Sequence, residues 1–390
     1  NWLGLQSSHL EGSYLPQGVR GVRIPKPKGG YRQLGIPTVK DRLVQQAISQ
    51  VLSKRYEPIF SEHSYGFRSG RNAHQALQKA GGYVAEGYKY VVDLDLEKFF
   101  DKVNHDRLLW ILGTRIGDKR VLSLVGRFLR SGIMQDGLMS QRLQGTPQGS
   151  PLSPLLSNIV LDELDKELET RGHRFVRYAD DAIILVGSEE AAKRVQRSIT
   201  NYIENRMALK VNQEKSRICK PRELNFLGHS ILNDGGLGIS RESLLRFKAK
   251  LRRITRRNKG VSLEQLIQGL NPVLRGWLNY FRYARMKKAL VRLEAWLRRR
   301  IRCFRLKQCK RTFGIVRFLR SRGLPEQRVW LIALSGKGWY RLANSPGANE
   351  AMNLEWFNET GLFSLSSSYC LTFKETAPYV TRMRGGVRGR

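Results

Sequence analysis

Two short apolar segments of this chain carry acidic residues, and this pattern constrains the fold more than any other feature. The first segment is Tyr90–Leu96 (YVVDLDL), and the second is a pair of β-rich runs around Asp180 and Asp181. The second pattern predicts a hairpin with the two acids at its tip. A carboxylate within an apolar strand is costly unless another group compensates its charge. The fold therefore has to bring a positive charge to these acids.

A divalent cation is the natural compensating group. Asp93 and Asp95 point to the same side of the first strand, because side chains alternate along a strand. If this strand lies beside the hairpin, Asp95 and Asp180 can jointly hold two ions of Mg²⁺, which prefers oxygen ligands. Two such ions are what phosphoryl transfer to a 3′-hydroxyl requires. An Asp–Asp turn that only caps a hairpin is the structural alternative.

The charge of the chain points to a polyanionic partner. There are 69 Lys and Arg residues against 33 Asp and Glu residues, a formal net charge of +36 in 390 residues. The stretch 241–322 alone holds 26 basic and 3 acidic residues. Nucleic acid is the simplest partner for such a surplus. An anionic membrane is the rival, but no segment has the run of about 18 uncharged apolar residues that a spanning helix needs. We therefore expect no membrane partner.

The cysteines indicate a reducing compartment. Cys219, Cys303, Cys309 and Cys370 form no CxxC pair, and no histidine stands beside them at zinc-ligand spacing. This argues against a zinc site and a secreted disulfide scaffold, and the chain shows no signal peptide. We expect a cytoplasmic location, in the cytoplasm or nucleoid of a bacterium. The chain begins at Asn1 rather than Met, so we also expect an N-terminal piece to be missing.

Hydrophobic periodicity predicts a mixed fold in the first 230 or so residues and helices afterwards. Interleaved helices and strands indicate an α+β sheet with helices on one face. In the first part we predict the helices Asp41–Tyr56, one that opens at Pro151, and Glu189–Met207, and the strands Tyr90–Leu96, Phe175–Tyr178, Ala182–Val186, Leu209–Val211 and Ser216–Cys219. The basic part has the predicted helices Arg241–Arg257, Ser262–Arg285 and Lys288–Lys310. The turn-rich stretch Leu232–Gly238 is the candidate linker.

Several motifs, in one order along the chain, resemble those of reverse transcriptases encoded by group II introns. The hairpin tip Tyr178–Asp181 (YADD) resembles the family's YxDD motif, and Asp95–Asp101 with Asn104–His105 resembles its first catalytic motif. The other similar segments are Ile24–Lys28 with Tyr31–Pro37, Tyr65–Arg68, Gly145–Pro154, Asn212–Ser216, Phe226–His229, Gly276–Phe281 and Lys337–Arg341. The resemblance covers nearly the whole chain, and so many motifs in order are very specific.

The resemblance implies a right-hand polymerase. Fingers and palm, an α+β fold, are expected over 1–232, with the fingers at about 1–90 and 110–145. An α-helical thumb, called domain X in maturases, is expected over 236–310, and a small basic region similar to a DNA-binding region over 311–390. The cysteine and histidine content argues against the zinc-bearing HNH endonuclease that some family members carry.

The resemblance also implies roles for individual residues. Asp95, Asp180 and Asp181 would be catalytic and would bind two Mg²⁺ ions, or Mn²⁺ in their place, with the Leu96 carbonyl as a further ligand. The residues that would contact the incoming nucleotide are Lys26, Arg32, Phe100, Gln148, Gly149 and Lys215. The residues that would contact primer or template are Tyr178, Arg68, Trp277, Arg275 and Arg282.

Several of these residues also have a plainer structural explanation. Lys26 and Arg32 would grip the triphosphate, but they also suit a solvated basic loop. Phe100 would collide with a ribose 2′-hydroxyl and favour dNTPs, but it also suits core packing beside Phe99. The segment around Gln148 would otherwise be an ordinary turn.

The implied function is RNA-directed DNA synthesis from an RNA template, a DNA primer and dNTPs. The family also implies binding of a structured intron RNA and a target DNA, which assists splicing and mobility. Two alternatives remain open: an RNA-binding maturase without polymerase activity, and a host-recruited reverse transcriptase with a role in DNA repair or CRISPR spacer acquisition. An RNA-directed RNA polymerase also uses an acidic pair, but Phe100 favours DNA synthesis.

Overall fold

The computed structural model describes residues 2–25, 29–135, 138–140 and 144–370. The chain divides into two compact units, Asn1–Gly235 and Gly236–Arg390. This division falls within the predicted linker Leu232–Gly238. Each unit has its own hydrophobic core. In the described part of the chain, no helix combines the length and the apolar character needed to cross a bilayer.

The first unit is a mixture of helices and strands. Its helices are α1 (Trp2–Leu10), α2 (Val39–Tyr56), α3 (Ala73–Ala85), α4 (Phe99–Lys102), α5 (His105–Gly113), α6 (Lys119–Arg130), α7 (Ser153–Thr170) and α8 (Glu189–Asn205). Its strands are β1 (Val19–Pro25), β2 (Tyr31–Ile36), β3 (Tyr90–Leu94), β4 (Ile133–Gln135), β5 (Leu138–Ser140), β6 (Arg174–Tyr178), β7 (Asp181–Val186), β8 (Arg217–Cys219) and β9 (His229–Ile231). A 3₁₀ turn covers Pro221–Glu223.

Two sheets organise the described residues of the first unit. One has the strand order β2–β1–β4–β5, in which β1 is antiparallel to β2 and parallel to β4. The other has the order β6–β7–β3–β8, and each neighbouring pair in it is antiparallel. The β6–β7 hairpin and the strand β3 confirm the predictions for these segments. The acidic strand therefore lies directly beside the acidic hairpin.

The second sheet has one apolar face and one acidic end. Val92 and Leu94 of β3 and Ile184 of β7 lie in the core that α7 and α8 cover. Because side chains alternate along a strand, Asp93 and Asp95 fall on the opposite face. The alternation of side chains along β3 thus turns these two carboxylates away from the core that α7 and α8 cover.

Two sequence predictions in this unit were wrong in detail. The helix predicted to open at Pro151 begins at Ser153, because Pro154 meets the preference for proline in the first helical turn and Pro151 stays in the preceding turn. The predicted strand Leu209–Val211 forms only an isolated bridge between Leu96 and Val211. It connects α8 to the chain beside β3 and is too short to form a ladder.

His229, the first residue of β9, gives the fold a dependence on pH. Its side chain is fully buried, and burial lowers its pKa to about 4. The unfolded chain releases the same proton at a pKa of about 6.5. Between these two values the unfolded state binds more protons, so the free energy of unfolding falls as the pH falls.

We expect this histidine to remove about 3 kcal/mol of stability between pH 7.5 and pH 4, because each unit of pKa shift corresponds to about 1.4 kcal/mol. Chemical denaturation across that range measures the slope, and His229→Gln should flatten it between pH 6.5 and pH 4. The control is His173→Gln, at a half-buried histidine away from β9, which should leave most of the slope in place. An unchanged slope in the His229→Gln protein would contradict the assignment.

The described part of the second unit is helical apart from β10 (Leu237–Ile239). Its helices include α9 (Arg241–Ile254), α10 (Leu263–Phe281), α11 (Lys287–Gln308), α12 (Thr312–Ser321), α13 (Glu326–Ala333), α14 (Trp339–Leu342), α15 (Pro346–Ala351) and α16 (Leu354–Glu359). The first three confirm the predicted helices of the basic part, although α9 and α10 are a few residues shorter than predicted and α11 is shifted by one or two residues at its ends. The helices α9 and α10 end earlier than the sequence pattern predicted, with Thr255 and Arg282 as their C-terminal cap residues.

One core joins α9, α10 and α11 to the helices that follow. Asn271 on α10 accepts the Phe363 N–H at 2.9 Å through its side-chain oxygen. Glu294, buried on α11, accepts the N–H of Leu365 at 3.1 Å and the hydroxyl of Ser366. The predicted boundary near residue 310 lies inside this unit, and the division into thumb and C-terminal region stays a prediction.

Candidate active site

The tip of the β6–β7 hairpin presents Asp180 and Asp181. Tyr178 and Asp181 form the last pair of the ladder, so Ala179 and Asp180 alone make the turn. Ala179 has a left-handed backbone with φ of 57°, which is unfavourable for a residue that carries a Cβ. This tight turn holds the two carboxylates at adjacent positions at the end of the hairpin.

Asp95 lies next to this tip. The antiparallel register of β3 and β7, continued by one step, places Asp95 opposite Asp181. The backbone of Asp95 is fixed from the other side, where its N–H donates to the Ser216 hydroxyl at 3.0 Å and its carbonyl oxygen accepts the Asn212 N–H at 2.8 Å. Carboxylates from two neighbouring strands therefore converge at one end of the sheet.

The converging carboxylates disfavour one another's charge. Desolvation, followed by the charges of Asp180, Asp95 and Asp93, raises the pKa of Asp181 to about 7. Desolvation is also the main cause of the raised pKa of Asp180, and Asp95 adds to it. Desolvation raises the pKa of Asp93 to about 6 against the opposing charge of Arg217. The repulsion between these carboxylates, the smaller cause of the shifts, is the part that a bound cation would relieve.

Two basic side chains lie beside these carboxylates. The Lys215 Nζ is 3.0 Å from the Asp95 Oδ2. Arg32, which is exposed on β2, and Lys215 both act on Asp180 and oppose the rise in its pKa. Of the residues predicted for the site, the structure therefore brings together Asp95, Asp180, Asp181, Arg32 and Lys215.

The donor set suits a divalent cation such as Mg²⁺. Mg²⁺ prefers oxygen ligands and usually binds through one or two protein carboxylates, with phosphate and water oxygens completing its shell. Asp95, Asp180 and Asp181 supply such carboxylates at the end of two strands. Leu96, whose carbonyl is a predicted further ligand, is buried directly after Asp95. Among the described residues, no group of three or more Asp, Glu, His or Cys side chains is arranged to hold a metal by itself.

Phe100, the residue predicted to collide with a ribose 2′-hydroxyl and so to act as a steric gate, lies on the short helix α4. Its half-buried ring packs edge-on against Phe99, with 5.3 Å between the ring centroids. Its carbonyl oxygen accepts the Thr146 N–H at 2.6 Å. A Cβ on Gly145 would lie 2.8 Å from the same carbonyl oxygen. The loop that begins at Gly145 therefore packs closely on the backbone of the gate residue, and only glycine permits this approach.

The same loop continues to the other residues predicted to contact the nucleotide. The Gln148 carbonyl oxygen accepts the Gly35 N–H at 2.9 Å, which joins the loop to β2 and to Arg32 on that strand. Gly149 has φ of 110°, a conformation that side chains with a Cβ rarely adopt. Lys26, the remaining predicted phosphate contact, lies outside the described residues.

The position of Arg68 contradicts its predicted contact with primer or template. Its side chain is 3% exposed and forms an ion pair with Glu57 at 2.8 Å. The same guanidinium donates to the carbonyl oxygens of Ser61 and Ser64. The guanidinium donates four hydrogen bonds to protein acceptors, which hold it in the interior and away from a nucleic acid phosphate. Arg68 instead fixes the loop 61–68 beside the hairpin.

The other residues predicted to contact primer or template differ in their exposure to solvent. Tyr178 is half-buried beside the catalytic turn. Trp277 on α10 stacks on Phe247 with 4.2 Å between ring centroids, so at least one face of its ring is used for packing. Two further predicted residues of the second unit, Arg275 and Arg282, are exposed. Contact of these residues with nucleic acid stays a prediction.

Sequence reasoning missed three buried polar residues behind the turn: Arg177, Asp165 and Asn158. Arg177 and Asp165 form an ion pair at 2.5 Å with side chains 1% and 0% exposed. The sequence does contain an indication of this pair, because Arg177 stands in the apolar run FVRY, next to the acids of the hairpin tip. A charged residue within an apolar strand needs an interior partner.

Converging carboxylates at the end of a sheet and a hairpin tip, with basic residues beside them, are typical of the site of a nucleotide polymerase. The family described as "Reverse transcriptase (RNA-dependent DNA polymerase)" matches residues 24–231, more than half of the chain. The "Group II intron, maturase-specific domain" matches residues 244–321. The chain therefore belongs to the reverse transcriptases, RNA-directed DNA polymerases with a right-hand fold, and to their group II intron branch. This confirms the family and the fold class that the motifs indicated.

Individual relatives agree with this assignment. Protein YkfC of Escherichia coli (strain K12) is 30% identical over 267 residues, which cover 58% of this chain and 70% of that protein. The group II intron-encoded protein LtrA of Lactococcus lactis subsp. cremoris is 30% identical over 287 residues, which cover 57% of this chain and 48% of that protein. The chain thus spans about half the length of LtrA.

A telomerase from Candida tropicalis, solved in complex with the TWJ fragment of telomeric RNA, is a structural neighbour. It is 14% identical, the match covers 90% of this chain and 64% of the telomerase, and the TM-score is 0.48.

Proposed function

We propose that this chain copies RNA into cDNA by extending a DNA primer with dNTPs, and that Asp95, Asp180 and Asp181 hold two Mg²⁺ ions, or Mn²⁺ in their place. The observation that carries the proposal is the convergence of these carboxylates at the end of β3 and the β6–β7 hairpin. When bound, the ions lower the pKa of the primer 3′-hydroxyl and neutralise charge on the phosphoryl oxygens.

The side chains of the protein bind and orient the incoming nucleotide. Arg32 suits bidentate binding of a phosphate, and Lys26 suits a single charged contact. Lys215, whose Nζ lies 3.0 Å from the Asp95 Oδ2, is proposed to give a proton to the leaving pyrophosphate as a general acid. The loop at Gln148 and Gly149 is proposed to contact the nucleotide and the template.

The backbone of the carboxylate site is fixed before a substrate arrives. The Ser216 hydroxyl and the Asn212 N–H hold the peptide groups of Asp95. The Leu96 carbonyl is proposed as a further oxygen ligand, and Tyr178 is proposed to support the primer end. Such pre-organised positions lower the cost of reaching the transition state.

The steric gate gives a prediction about sugar selection. Replacing Phe100 by Ala removes the ring that is proposed to collide with a ribose 2′-hydroxyl. We expect the ratio of rNTP to dNTP incorporation to rise about tenfold to a hundredfold, the range by which the shape of an apolar pocket usually discriminates. Single-nucleotide primer extension with dATP and ATP measures the ratio. Trp110→Ala removes an exposed ring on α5 and should leave the ratio unchanged. No gain in the Phe100→Ala protein would show that the gate assignment is wrong.

The test of the proposed activity is primer extension. Purified protein receives an RNA template annealed to a DNA primer, dNTPs and Mg²⁺, and a parallel reaction contains EDTA. Extension that requires both Mg²⁺ and dNTPs supports the proposal. Folded protein that binds the primer–template duplex tightly and does not extend it, also when longer versions of the chain are used, supports the alternative of a maturase without polymerase activity.

A second function, binding of a structured intron RNA to assist splicing, is favoured by the maturase-specific match at residues 244–321. This segment falls within the strongly basic part of the chain, whose surplus of positive charge has to be balanced by a polyanion. An exposed basic face can bind A-form RNA or an RNA–DNA hybrid through shape and backbone contacts, without reading the base sequence. Target DNA is a further proposed partner.

A splicing assay separates the two functions. The chain with an inactivated carboxylate site is incubated with a group II intron precursor RNA, and the rate of excision is measured against RNA alone. Faster excision supports a maturase role that does not depend on polymerisation. No effect on intron RNA together with active primer extension favours a host-recruited reverse transcriptase, for example in DNA repair or CRISPR spacer acquisition. We propose that either function takes place in the bacterial cytoplasm or nucleoid, where the nucleic acid partners are.

A further inference from the structure

Arg177, on β6, is the largest of the side chains that the fold buries almost completely. A buried guanidinium is tolerated only when acceptors satisfy its donors. Its Nε and Nη2 donate to the two carboxylate oxygens of Asp165 on α7, at 2.7 and 2.5 Å. This bidentate pair fixes both the position and the plane of the guanidinium.

The remaining arm of Arg177 reaches the catalytic turn. Its Nη1 donates at 2.9 Å to the carbonyl oxygen of Ala179, the oxygen of the peptide bond that leads into Asp180. The same Nη1 donates at 2.9 Å to Asn158 Oδ1 on α7. The hydrogen bond to Ala179 therefore holds one peptide plane of the turn against the rigid helix α7, at the residue whose φ is positive.

A second set of contacts also holds the turn. Asn158 Nδ2 donates to the Gly66 carbonyl oxygen at 2.9 Å. The backbone of this segment also pairs with β6, since the Tyr65 N–H donates to the Arg177 carbonyl oxygen at 2.9 Å. A Cβ on Gly66 would lie 2.2 Å from the Ala179 nitrogen. The turn thus contacts both the segment at Gly66 and the guanidinium of Arg177.

We propose that Arg177 is a positioning residue for the polymerase reaction, which sets the direction of the Asp180 carboxylate by fixing the peptide bond between Ala179 and Asp180. Asp165 and Asn158 act through it by fixing the guanidinium. This inference rests on the proposed polymerase function. The alternative is that Arg177 and Asp165 are only a buried ion pair that stabilises the fold and has no effect on the geometry of the turn.

Two variants separate positioning from stability. Arg177→Lys keeps a positive charge beside Asp165. It loses the planar guanidinium whose Nη1 donates to the Ala179 carbonyl oxygen. The double variant Arg177→Met/Asp165→Leu removes both charges together, which leaves no unpaired buried ion. The matched control is Arg107→Met/Glu163→Leu, which removes an ion pair of 2.7 Å between α5 and the same helix α7, away from the turn.

The first measurement is single-turnover incorporation of one dNTP on an RNA template, over a range of dNTP and Mg²⁺ concentrations. We expect both Arg177 variants to lose about 10-fold to 100-fold in the maximal rate, as is usual when a residue that orients a metal ligand is removed. The half-saturating dNTP concentration and the affinity for the primer–template duplex should stay within about threefold, and the half-saturating Mg²⁺ concentration should rise. The control variant should keep the rate of the unmodified chain.

The second measurement needs no activity. Hydrogen–deuterium exchange of the metal-free protein should be faster at residues 178–182 in both variants and unchanged there in the control. If the double variant does not fold, Arg177→Lys decides the question. Maximal rates within twofold of the unmodified chain in either folded variant, or unchanged exchange at the turn, would overturn the proposal. If the unmodified chain itself does not extend a primer, the proposed function fails, and the exchange data still decide whether Arg177 holds the turn.

Discussion

Replacing Asp180 by Asn is expected to reduce primer extension by at least about 10³-fold. The carboxylate is proposed to hold both cations, whose stabilisation of charge in the transition state amounts to several kcal/mol, and about 4 kcal/mol corresponds to a factor of 10³ in rate. Asparagine has nearly the same shape, so the β6–β7 turn should keep its geometry. The measurement is extension of a DNA primer on an RNA template, with binding of the duplex measured on the same protein.

The Asp180→Asn protein should lose activity without losing stability. Desolvation and the neighbouring Asp95 disfavour the charged form of Asp180 and raise its pKa. Without metal ions, removal of this charge relieves repulsion, so the free energy of unfolding in EDTA should be unchanged or higher. Active sites commonly lose stability in this way for the sake of function.

Asp106→Asn is the control for the Asp180 experiment. The Asp106 side chain is 92% exposed on α5, and its extension rate should stay within about twofold of the unmodified chain because exposed charges contribute little. Extension by the Asp180→Asn protein at more than a tenth of the normal rate would contradict the assignment of this carboxylate. Loss of activity together with loss of folding would show that Asp180 is needed for the fold instead.

The second large effect concerns the stability of the first unit. Asp165→Ala leaves Arg177 buried without its carboxylate partner, because both side chains lie in the interior at a distance of 2.5 Å. Loss of one partner of a buried ion pair costs about 3–5 kcal/mol. Urea or thermal unfolding, followed by the fluorescence of the first unit, should show a decrease of that size in the free energy of unfolding.

Two further variants test the cause of this decrease. Glu163→Ala removes a partly exposed carboxylate from the same helix, where it pairs with Arg107, and should cost no more than about 1 kcal/mol. Arg177→Met/Asp165→Leu should restore most of the stability, since neither charge then remains buried. A decrease below about 1 kcal/mol in the Asp165→Ala protein would mean that water or another acceptor reaches Arg177 in the native state.

Local sequence patterns predicted much of this fold. The alternation of apolar residues around Asp93 and Asp95 indicated the strand β3, and the two β-rich runs around Asp180 indicated the hairpin β6–β7. The helical periodicity of residues 241–310 indicated α9, α10 and α11. These elements could be predicted because each depends on residues close together in the chain. Their ends were less certain, as Ser153 and Val211 show, because helix caps and bridges depend on neighbours in space.

The residue types of the catalytic site could also be found from the sequence. The DLEKFFD segment at Asp95 and the YADD tip at Asp180 are specific enough to indicate the family, and the family match confirms it. Charges in apolar segments carry this information, since they are kept only where another group compensates them. The roles of Arg32, Lys215 and Phe100 remain predictions, which the structure makes testable by bringing Arg32 and Lys215 to Asp180 and Asp95.

The tertiary structure alone decided how these residues are supported. Nothing in the local pattern showed that Arg68 would turn inward to Glu57, or that Arg177 would bind Asp165 and the Ala179 carbonyl. Whether a guanidinium binds nucleic acid or the protein interior depends on which acceptors the fold brings within about 3 Å, and those acceptors come from distant parts of the chain. The sequence by itself determined which charged groups the protein contains and the elements that carry them. The packing of α7 and the loop 61–68 against β6 determined which of those groups are paired in the interior.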